Sequence, residues 1–314
     1  MKASVVIPSY NCVDLLKISM KSLEQQDISL DDFEVIVVDD GSSDGTDEFL
    51  KTYSGMLKLK PIINPQNLGR AVSRNRGIEI AKNELIIFLD SDIEVKKDFI
   101  RTHLGAQKNR PSAAVGKILY HPELEINSLM SYLDKRGSAK AYSGSKIPGK
   151  YFRTTNASVP RDILIEIGCF DEHFLHYGGE DTELGIRLEQ KLPIYSLPEA
   201  IGYNRHWRGL DELLNIMEVY GEYSLPYLFQ KHPFFKKEMK LDHTGKKTLT
   251  NFIVSLCCSE PIYRFLKYLA KYELTPNVIY TYLLYRNSRF GYIKSMHDNV
   301  PNTIDSLKFK TSEK

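Results

Sequence analysis

The chain of 314 residues is short of several features that would assign it at once. It has four cysteines, Cys12, Cys169, Cys257 and Cys258. None falls at metal-ligand spacing, and two adjacent cysteines make a poor disulfide pair, so reduced thiols in a cytoplasmic protein are expected. No uninterrupted apolar run reaches membrane-spanning length, so any membrane contact has to be peripheral. The start, Met1-Lys2-Ala3, enters a strand-like stretch without an apolar segment of signal-peptide length. Charge of one sign is also missing. With 42 Lys and Arg against 40 Asp and Glu, the formal net charge is +2, which gives no case for nucleic acid as a partner. No G-x-G-x-x-G follows the first strand-like run, which argues against a dinucleotide-binding oxidoreductase. Ser9-Tyr10-Asn11-Cys12 stands where a nucleotidyltransferase would carry a Gly-rich phosphate loop.

What is present is globular in kind: 42% hydrophobic and 26% charged residues, in a chain long enough to bury a substantial core. Strand-like runs occupy residues 4–8, 33–39, 59–63 and 85–90, with helical patterns at 13–26, 46–53 and 70–81 between them. That alternation predicts a mainly parallel sheet with right-handed crossovers. Further on, residues 96–107 read as helix, 113–120 as strand, 156–159 as a short strand, and 161–167 and 182–191 as helices. Gly137, Gly144, Pro148 and Gly149 mark 121–150 as a loop or flap.

The chemistry gathers where the apolar runs end. Phe88-Leu89-Asp90-Ser91-Asp92 is a buried strand that stops in two carboxylates one residue apart. Two readings stand. A divalent cation, Mg²⁺ or Mn²⁺, can bind through one or two carboxylates plus phosphate oxygens, or one of the acids caps the next helix. Val38-Asp39-Asp40-Gly41-Ser42 ends a second strand at the same sheet edge, where open α/β sheets bind ligands. Pro8-Ser9-Tyr10-Asn11 sets an aromatic ring at the end of the first strand, where a nucleobase can stack. Asn67-Leu68-Gly69-Arg70 opens another helix there. Its N–H groups, with Arg70 and Arg74, suit a diphosphate.

A second acidic feature is Gly178-Gly179-Glu180-Asp181 at a helix start, where the macrodipole favours negative charge. Asp181 is either the helix cap or a base that hydrogen-bonds an incoming hydroxyl. His206 follows 25 residues later, either an ordinary histidine or a third metal ligand.

Together, Val6-Ile7-Pro8-Ser9-Tyr10-Asn11, Val38-Asp39-Asp40-Gly41-Ser42, Asn67-Leu68-Gly69 with Arg74-Asn75-Arg76-Gly77, Asp90-Ser91-Asp92, and Gly168-Cys169-Phe170-Asp171-Glu172 leading to Gly179-Glu180-Asp181 resemble the family 2 glycosyltransferases of the GT-A type. The resemblance covers residues 2 to about 208. It implies a GT-A type α/β/α sandwich with a mainly parallel central sheet, and a UDP-sugar lying across the strand ends. It also implies Asp40 near the base, Asp90 near the ribose with Ser91 among the donor-binding residues, and Asp92 on a Mn²⁺ or Mg²⁺ that bridges the diphosphate. Asp181 matches the catalytic base, Glu180 a contact to donor or acceptor hydroxyls, and His206 a metal ligand. Cys169 stands where the family often has a second glycine, a departure read as a change of packing. The implied activity is inverting transfer of a hexose or N-acetylhexosamine to a glycan or glycolipid hydroxyl. The alternative is a non-catalytic nucleotide-sugar-binding scaffold subunit, which would keep the donor edge and lose the base.

Residues 1–209 are thus expected to form the nucleotide-sugar-binding and catalytic domain, and 210–314 a helical extension, ending in a frayed tail of about a dozen residues. Between Leu228 and Lys294, twelve Lys or Arg stand against four acids, interleaved with Tyr263, Phe265, Tyr268, Tyr272, Tyr280, Tyr282 and Tyr285. We expect these aromatics to fill a small helical core with the lysines facing water. The alternative is peripheral membrane contact through 228–294, which would hold the protein at the inner face of the membrane.

Overall fold

The computed structural model describes residues 1–107, 111–135, 144–272 and 275–297. The expected glycine at 137 and the expected frayed tail lie outside them. The chain gathers into two compact units. One comprises residues 1–126, 133–175 and 180–207, and the other residues 127–132, 176–179 and 208 onward.

The first unit is built on strand–helix repeats: β1 (Ala3–Ser9), α1 (Val13–Glu24), β2 (Phe33–Asp39), α2 (Thr46–Lys51), β3 (Leu59–Ile63), α3 (Arg70–Ile80) and β4 (Leu85–Leu89). Then come β5 (Ile93–Val95), α4 (Phe99–Ala106), β6 (Ala113–Tyr120), α5 (Ser128–Leu133, which falls in the second unit but for its last residue), β7 (Asn156–Pro160), α6 (Arg161–Glu166), α7 (Glu180–Glu189) and β8 (Ile194–Asn204). They form an eight-stranded sheet in the order β3-β2-β1-β4-β7-β6-β8-β5. β1 pairs in parallel with β2 and β4, and β2 with β3, while β7 enters antiparallel beside β4.

The apolar runs are continuous because both faces of the sheet are covered. Val6, Ile36, Val38, Ile86 and Phe88 pack with Ala71 and Ile78 of α3, Leu164 of α6, and Leu184 and Leu188 of α7. The alternate residues Val5, Ile7, Val35, Val37 and Ile87 pack with Leu16, Met20 and Leu23 of α1 on the other face. α3 comes so close to β1 that a Cβ on Gly77 would run into Val6 Cγ1.

A buried histidine sits among the polar bonds of this sheet. The Asn156 amide donates to the carbonyls of Lys117 (3.2 Å) and Ala200 (2.8 Å), so its Oδ1 faces His103 Nε2 at 2.9 Å and fixes Nε2 as the protonated nitrogen. Nδ1 then accepts from Ser158 Oγ at 2.9 Å. Burial pushes the imidazole pKa down to about 4, against the bond from Asn156.

Three parts of the sequence reading need correction. β8 was not anticipated: Pro198 interrupts its alternation, and its pairing with β6 slips between Gly116 and Lys117. The helix expected from residue 96 begins only at Phe99, because Ile93–Val95 pairs with β8. Within the expected loop at 121–150, Ser128–Leu133 is helical, while residues 136–143 lie outside the described residues.

The second unit adds α8 (Leu210–Val219), one π turn (Tyr220–Ser224), α9 (Leu225–Lys231), α10 (Pro233–Glu238), α11 (Leu249–Cys257), α12 (Glu260–Leu269) and α13 (Asn277–His297). α13 is its axis, burying Tyr280, Leu283, Leu284 and Tyr292. The expectation that the aromatics fill a core holds for Tyr280, which is 1% exposed. It fails in α12 and just past it: Phe265, Tyr268 and Tyr272 are 61%, 56% and 55% exposed. Among the described residues no helix is long and apolar enough to cross a membrane.

Candidate active site

Parallel β1, β2, β3 and β4 deliver four loops to one sheet edge, and side chains tie these loops to each other. Asn11, held at φ 49°, accepts from Ser43 N through Oδ1 (2.8 Å), and its own N–H donates to Ser42 Oγ (2.9 Å). Asp44 accepts from Val13 N at 2.8 Å and from Thr46 Oγ1 at 2.6 Å, so one carboxylate serves the starts of both α1 and α2. Asp40, 4% exposed, accepts from Leu68 N and Gly69 N at 2.9 Å each and from Asn64 Nδ2 at 2.7 Å. Gly41 lies against that loop at φ 75°, where a Cβ would stand 2.5 Å from the Gln66 carbonyl carbon.

On this rim Tyr10 is 50% exposed just past β1, as a stacking platform requires, with Pro8 inside the strand, and Asn67 and Arg70 are exposed at the start of α3. Asp39, wholly buried, accepts from Ser42 N (3.2 Å) and Ser42 Oγ (2.5 Å), and burial raises its carboxyl pKa despite those bonds.

Arg74 departs from its expected place on a diphosphate. Its side chain is 2% exposed and turned to three carboxylates: Asp90 at 3.0 Å, Glu180 at 3.1 Å and Asp181 at 3.7 Å. Burial disfavours the guanidinium charge, yet the carboxylates of Asp181, Asp90 and Glu180 outweigh it and raise the pKa. Glu180 is 4% exposed, so its expected contact with sugar hydroxyls gives way to an internal role. Its Oε2 is buried without a hydrogen-bond partner among the described residues. Burial and the neighbouring Asp181 raise its pKa, against the pull of Arg74 and Arg70.

Asp181 keeps access. Its side chain is 17% exposed, and Thr154 Oγ1 donates to its Oδ1 at 2.6 Å. It lies inside the first turn of α7, which begins at Glu180, rather than at the cap. Among the described residues the Thr154 bond and the approach of Arg74 both fall on Oδ1, which leaves Oδ2 for an incoming group.

At the Asp-x-Asp turn, Asp90 is 31% exposed and held by Arg74. Ser91 instead turns inward, its Oγ 3.0 Å from Cys12 Sγ. No helix follows until Phe99, so neither acid caps one. Antiparallel pairing of Ile93 with Asn204, and Arg205 N donating to Asp92 O at 3.4 Å, bring His206 to the end of the sheet where Asp92 lies. No group of three His, Cys, Asp or Glu able to hold a metal occurs among the described residues. One carboxylate and one imidazole nevertheless fit Mn²⁺ or Mg²⁺, whose shell is commonly completed by substrate phosphate and water.

Two residues escaped the sequence reading. Thr154 comes to Asp181 because β7 runs antiparallel beside β4, and its signal was the hydroxyl pair Thr154-Thr155 just ahead of an expected strand. Asn64, 1% exposed, braces Asp40, and its signal was an amide directly after the run at 59–63. Cys169 also changes meaning. Its φ of 55° is the left-handed region, so the departure from glycine is a matter of backbone conformation, costing about 1 kcal/mol. Asn75 clamps this segment through Phe170 N and Phe170 O, both at 2.9 Å.

Comparison with known proteins agrees with this architecture. Similar proteins include the uncharacterized glycosyltransferase YfnE of Bacillus subtilis (strain 168), 31% identical over 241 residues, 60% of this chain and 61% of that one. The validoxylamine A glucosyltransferase of Streptomyces hygroscopicus subsp. jinggangensis (strain 5008) is 32% identical over 214 residues, 59% of this chain and 50% of that protein. The chain thus spans only about half to three fifths of the length of these relatives. In fold it is similar to S. aureus TarS 1–349 in complex with UDP-GlcNAc. The TM-score is 0.58 at 17% identity, covering 95% of this chain and 92% of that one. Residues 4–170 match Glycosyl transferase family 2, more than half of the sequence. The chain belongs to that family.

Proposed function

We propose that this chain is an inverting glycosyltransferase that moves a hexose or N-acetylhexosamine from a UDP-sugar to a hydroxyl of a glycan or glycolipid. The observation that carries the reading is the state of Asp181: a carboxylate oriented by Thr154, with one oxygen turned to Arg74 and the other left to an acceptor. The relatives support the donor class. One is a validoxylamine A glucosyltransferase, and TarS was solved with UDP-GlcNAc.

In this mechanism Tyr10 stacks on the nucleobase, Asp90 meets the ribose, and Arg70 with the α3 N–H groups faces the diphosphate. Asp40 acts indirectly, by fixing the Leu68–Gly69 backbone that leads into α3. Asp181 Oδ2 accepts the proton of the acceptor hydroxyl as its oxygen attacks the anomeric carbon in line. The bond from that carbon to the phosphate oxygen breaks, and UDP leaves with the electron pair. Arg74 bonds both Glu180 and Asp90 and approaches Asp181, which lowers the negative charge beside the base. Asp92 and His206 would hold a Mn²⁺ or Mg²⁺, which supplies Lewis-acid compensation for charge on the leaving group.

The test is calorimetric titration of wild type and Asp92→Ala with UDP-, GDP- and TDP-sugars, with and without Mn²⁺. Binding of a UDP-sugar that needs both the metal and Asp92 is the expected result. Metal-independent binding that Asp92→Ala leaves intact removes Asp92 from the site, and no binding of any nucleotide sugar overturns the donor reading; binding without any transfer favours the scaffold.

A further inference from the structure

Helices normally turn their apolar stripe inward, but α11 and α12 do the reverse. In α11 the large apolar residues Leu249, Phe252, Ile253 and Leu256 are 74%, 67%, 50% and 59% exposed. Their i, i+3, i+4, i+7 spacing makes them one stripe. The opposite face, roughly 130° round the helix at 100° per residue, is the one that is held. There Arg289 of α13 donates to Asn251 Oδ1 at 3.0 Å and Ser255 Oγ at 2.9 Å.

α12 repeats the arrangement. Ile262, Phe265 and Tyr268 are 40%, 61% and 56% exposed, with Tyr272 just beyond the helix at 55%. Its other face is pinned by Arg286 of α13, which bonds Glu260 at 2.9 Å and lies 3.9 Å over the Tyr263 ring. Neither helix buries a single residue. Val254, Leu266 and Leu269 are half-buried, so the two helices are held by these polar and cation–π contacts with a little apolar packing, while their most exposed apolar side chains face outward.

Charge identifies the occupant. Across residues 246–272 stand five bases, Lys246, Lys247, Arg264, Lys267 and Lys271, against one acid, Glu260, which is paired with Arg264 and Arg286. Lys246, Lys247, Arg264 and Lys271 are exposed. An apolar stripe with aromatic rings and an excess of bases matches a surface of hydrocarbon under anionic headgroups.

We infer that α11 and α12 dock this protein on an anionic phospholipid membrane, Phe252 and Phe265 entering the headgroup boundary and the lysines meeting the lipid phosphates. The surface stands independently of the sugar chemistry, and narrows the basic, aromatic region from 228–294 to 246–272.

The experiment is co-sedimentation of the full chain with vesicles of phosphatidylcholine alone, and with vesicles containing about a quarter phosphatidylglycerol. Wild type should pellet with the anionic vesicles and be released by salt. The double variant Phe252→Ser/Phe265→Ser should bind about tenfold less or weaker, while its unfolding midpoint and UDP-sugar binding stay at wild-type values. Asp181→Asn should pellet like wild type, which separates this surface from the transfer reaction. Failure of wild type to pellet, or equal pelleting of the double variant, overturns the proposal. So does a lipid-free dimer in light scattering that the double variant dissolves, because the stripe is then a contact between copies.

Discussion

Two regions of this chain break the rule that charge stays outside and apolar surface inside, and they break it in opposite directions. At the sheet edge Arg74 and Glu180 are buried with Asp90 and Asp181 close by, so charge has gone in. In α11 and α12 the apolar residues have come out. Each exception costs free energy in the isolated fold, and each is informative for that reason. The buried charges find ion-pair partners within the chain, Arg74 with Glu180 and Asp90, so that region should be stiff. The exposed stripes have no such compensation among the described residues, and the membrane inferred above would supply it.

The largest expected effect comes from breaking the compensated side. Arg74→Ala leaves Glu180 and Asp90 without their cation, and removal of one partner of a buried pair costs about 3–5 kcal/mol. Denaturant unfolding should read this as a lower midpoint, and an unchanged midpoint would mean the cluster is wetter than its burial implies.

A buried polar group without charge sharpens the contrast. His103 is neutral in the fold, with a pKa of about 4 against an ordinary 6.5. Because the folded value is the lower one, the unfolded chain binds more protons between them, and stability is lost as pH falls from 6.5 towards 4. The full effect is about 3 kcal/mol, from about 1.4 kcal/mol per unit. His103→Gln should flatten that part of the stability–pH curve, and a slope equal to wild type would assign it to other groups.

The smallest of the three acts on the half-open member of the cluster. Asp181→Asn should keep donor binding and the fold while transfer falls by about a hundredfold or more, about 2.7 kcal/mol at the transition state. Turnover at the wild-type rate, read as UDP release, would take Asp181 out of the base role.

How much of this was legible depends on what a sequence pattern encodes. The strands at 33–39 and 85–89 were readable because an apolar run buried on both faces has no other explanation, and Asp39, Asp40, Asp90 and Asp92 were readable because they end such runs. The direction of Arg74 was not, because its partners at 180 and 181 reach it only through the tertiary fold. Thr154 depended likewise on β7 pairing antiparallel with β4. α11 and α12 teach the sharpest lesson: periodicity says that a helix has an apolar side, and is silent on whether that side faces in or out. The expectation of an aromatic core failed there for this reason, while Tyr280, on a helix enclosed by others, met it.

The cross-ties among the strand-end loops carry a consequence for protein engineering. Asn11 reaches Ser43, Asp44 reaches Val13, and Asp40 reaches Leu68 and Gly69, so each loop is shaped by a side chain that another loop supplies. A transplant of donor preference from another enzyme that swaps one of these loops alone would import a shape and leave behind the residue that holds it. The exchangeable part is the set, residues 9–13, 40–46 and 64–69 moved together on the unchanged strands beneath.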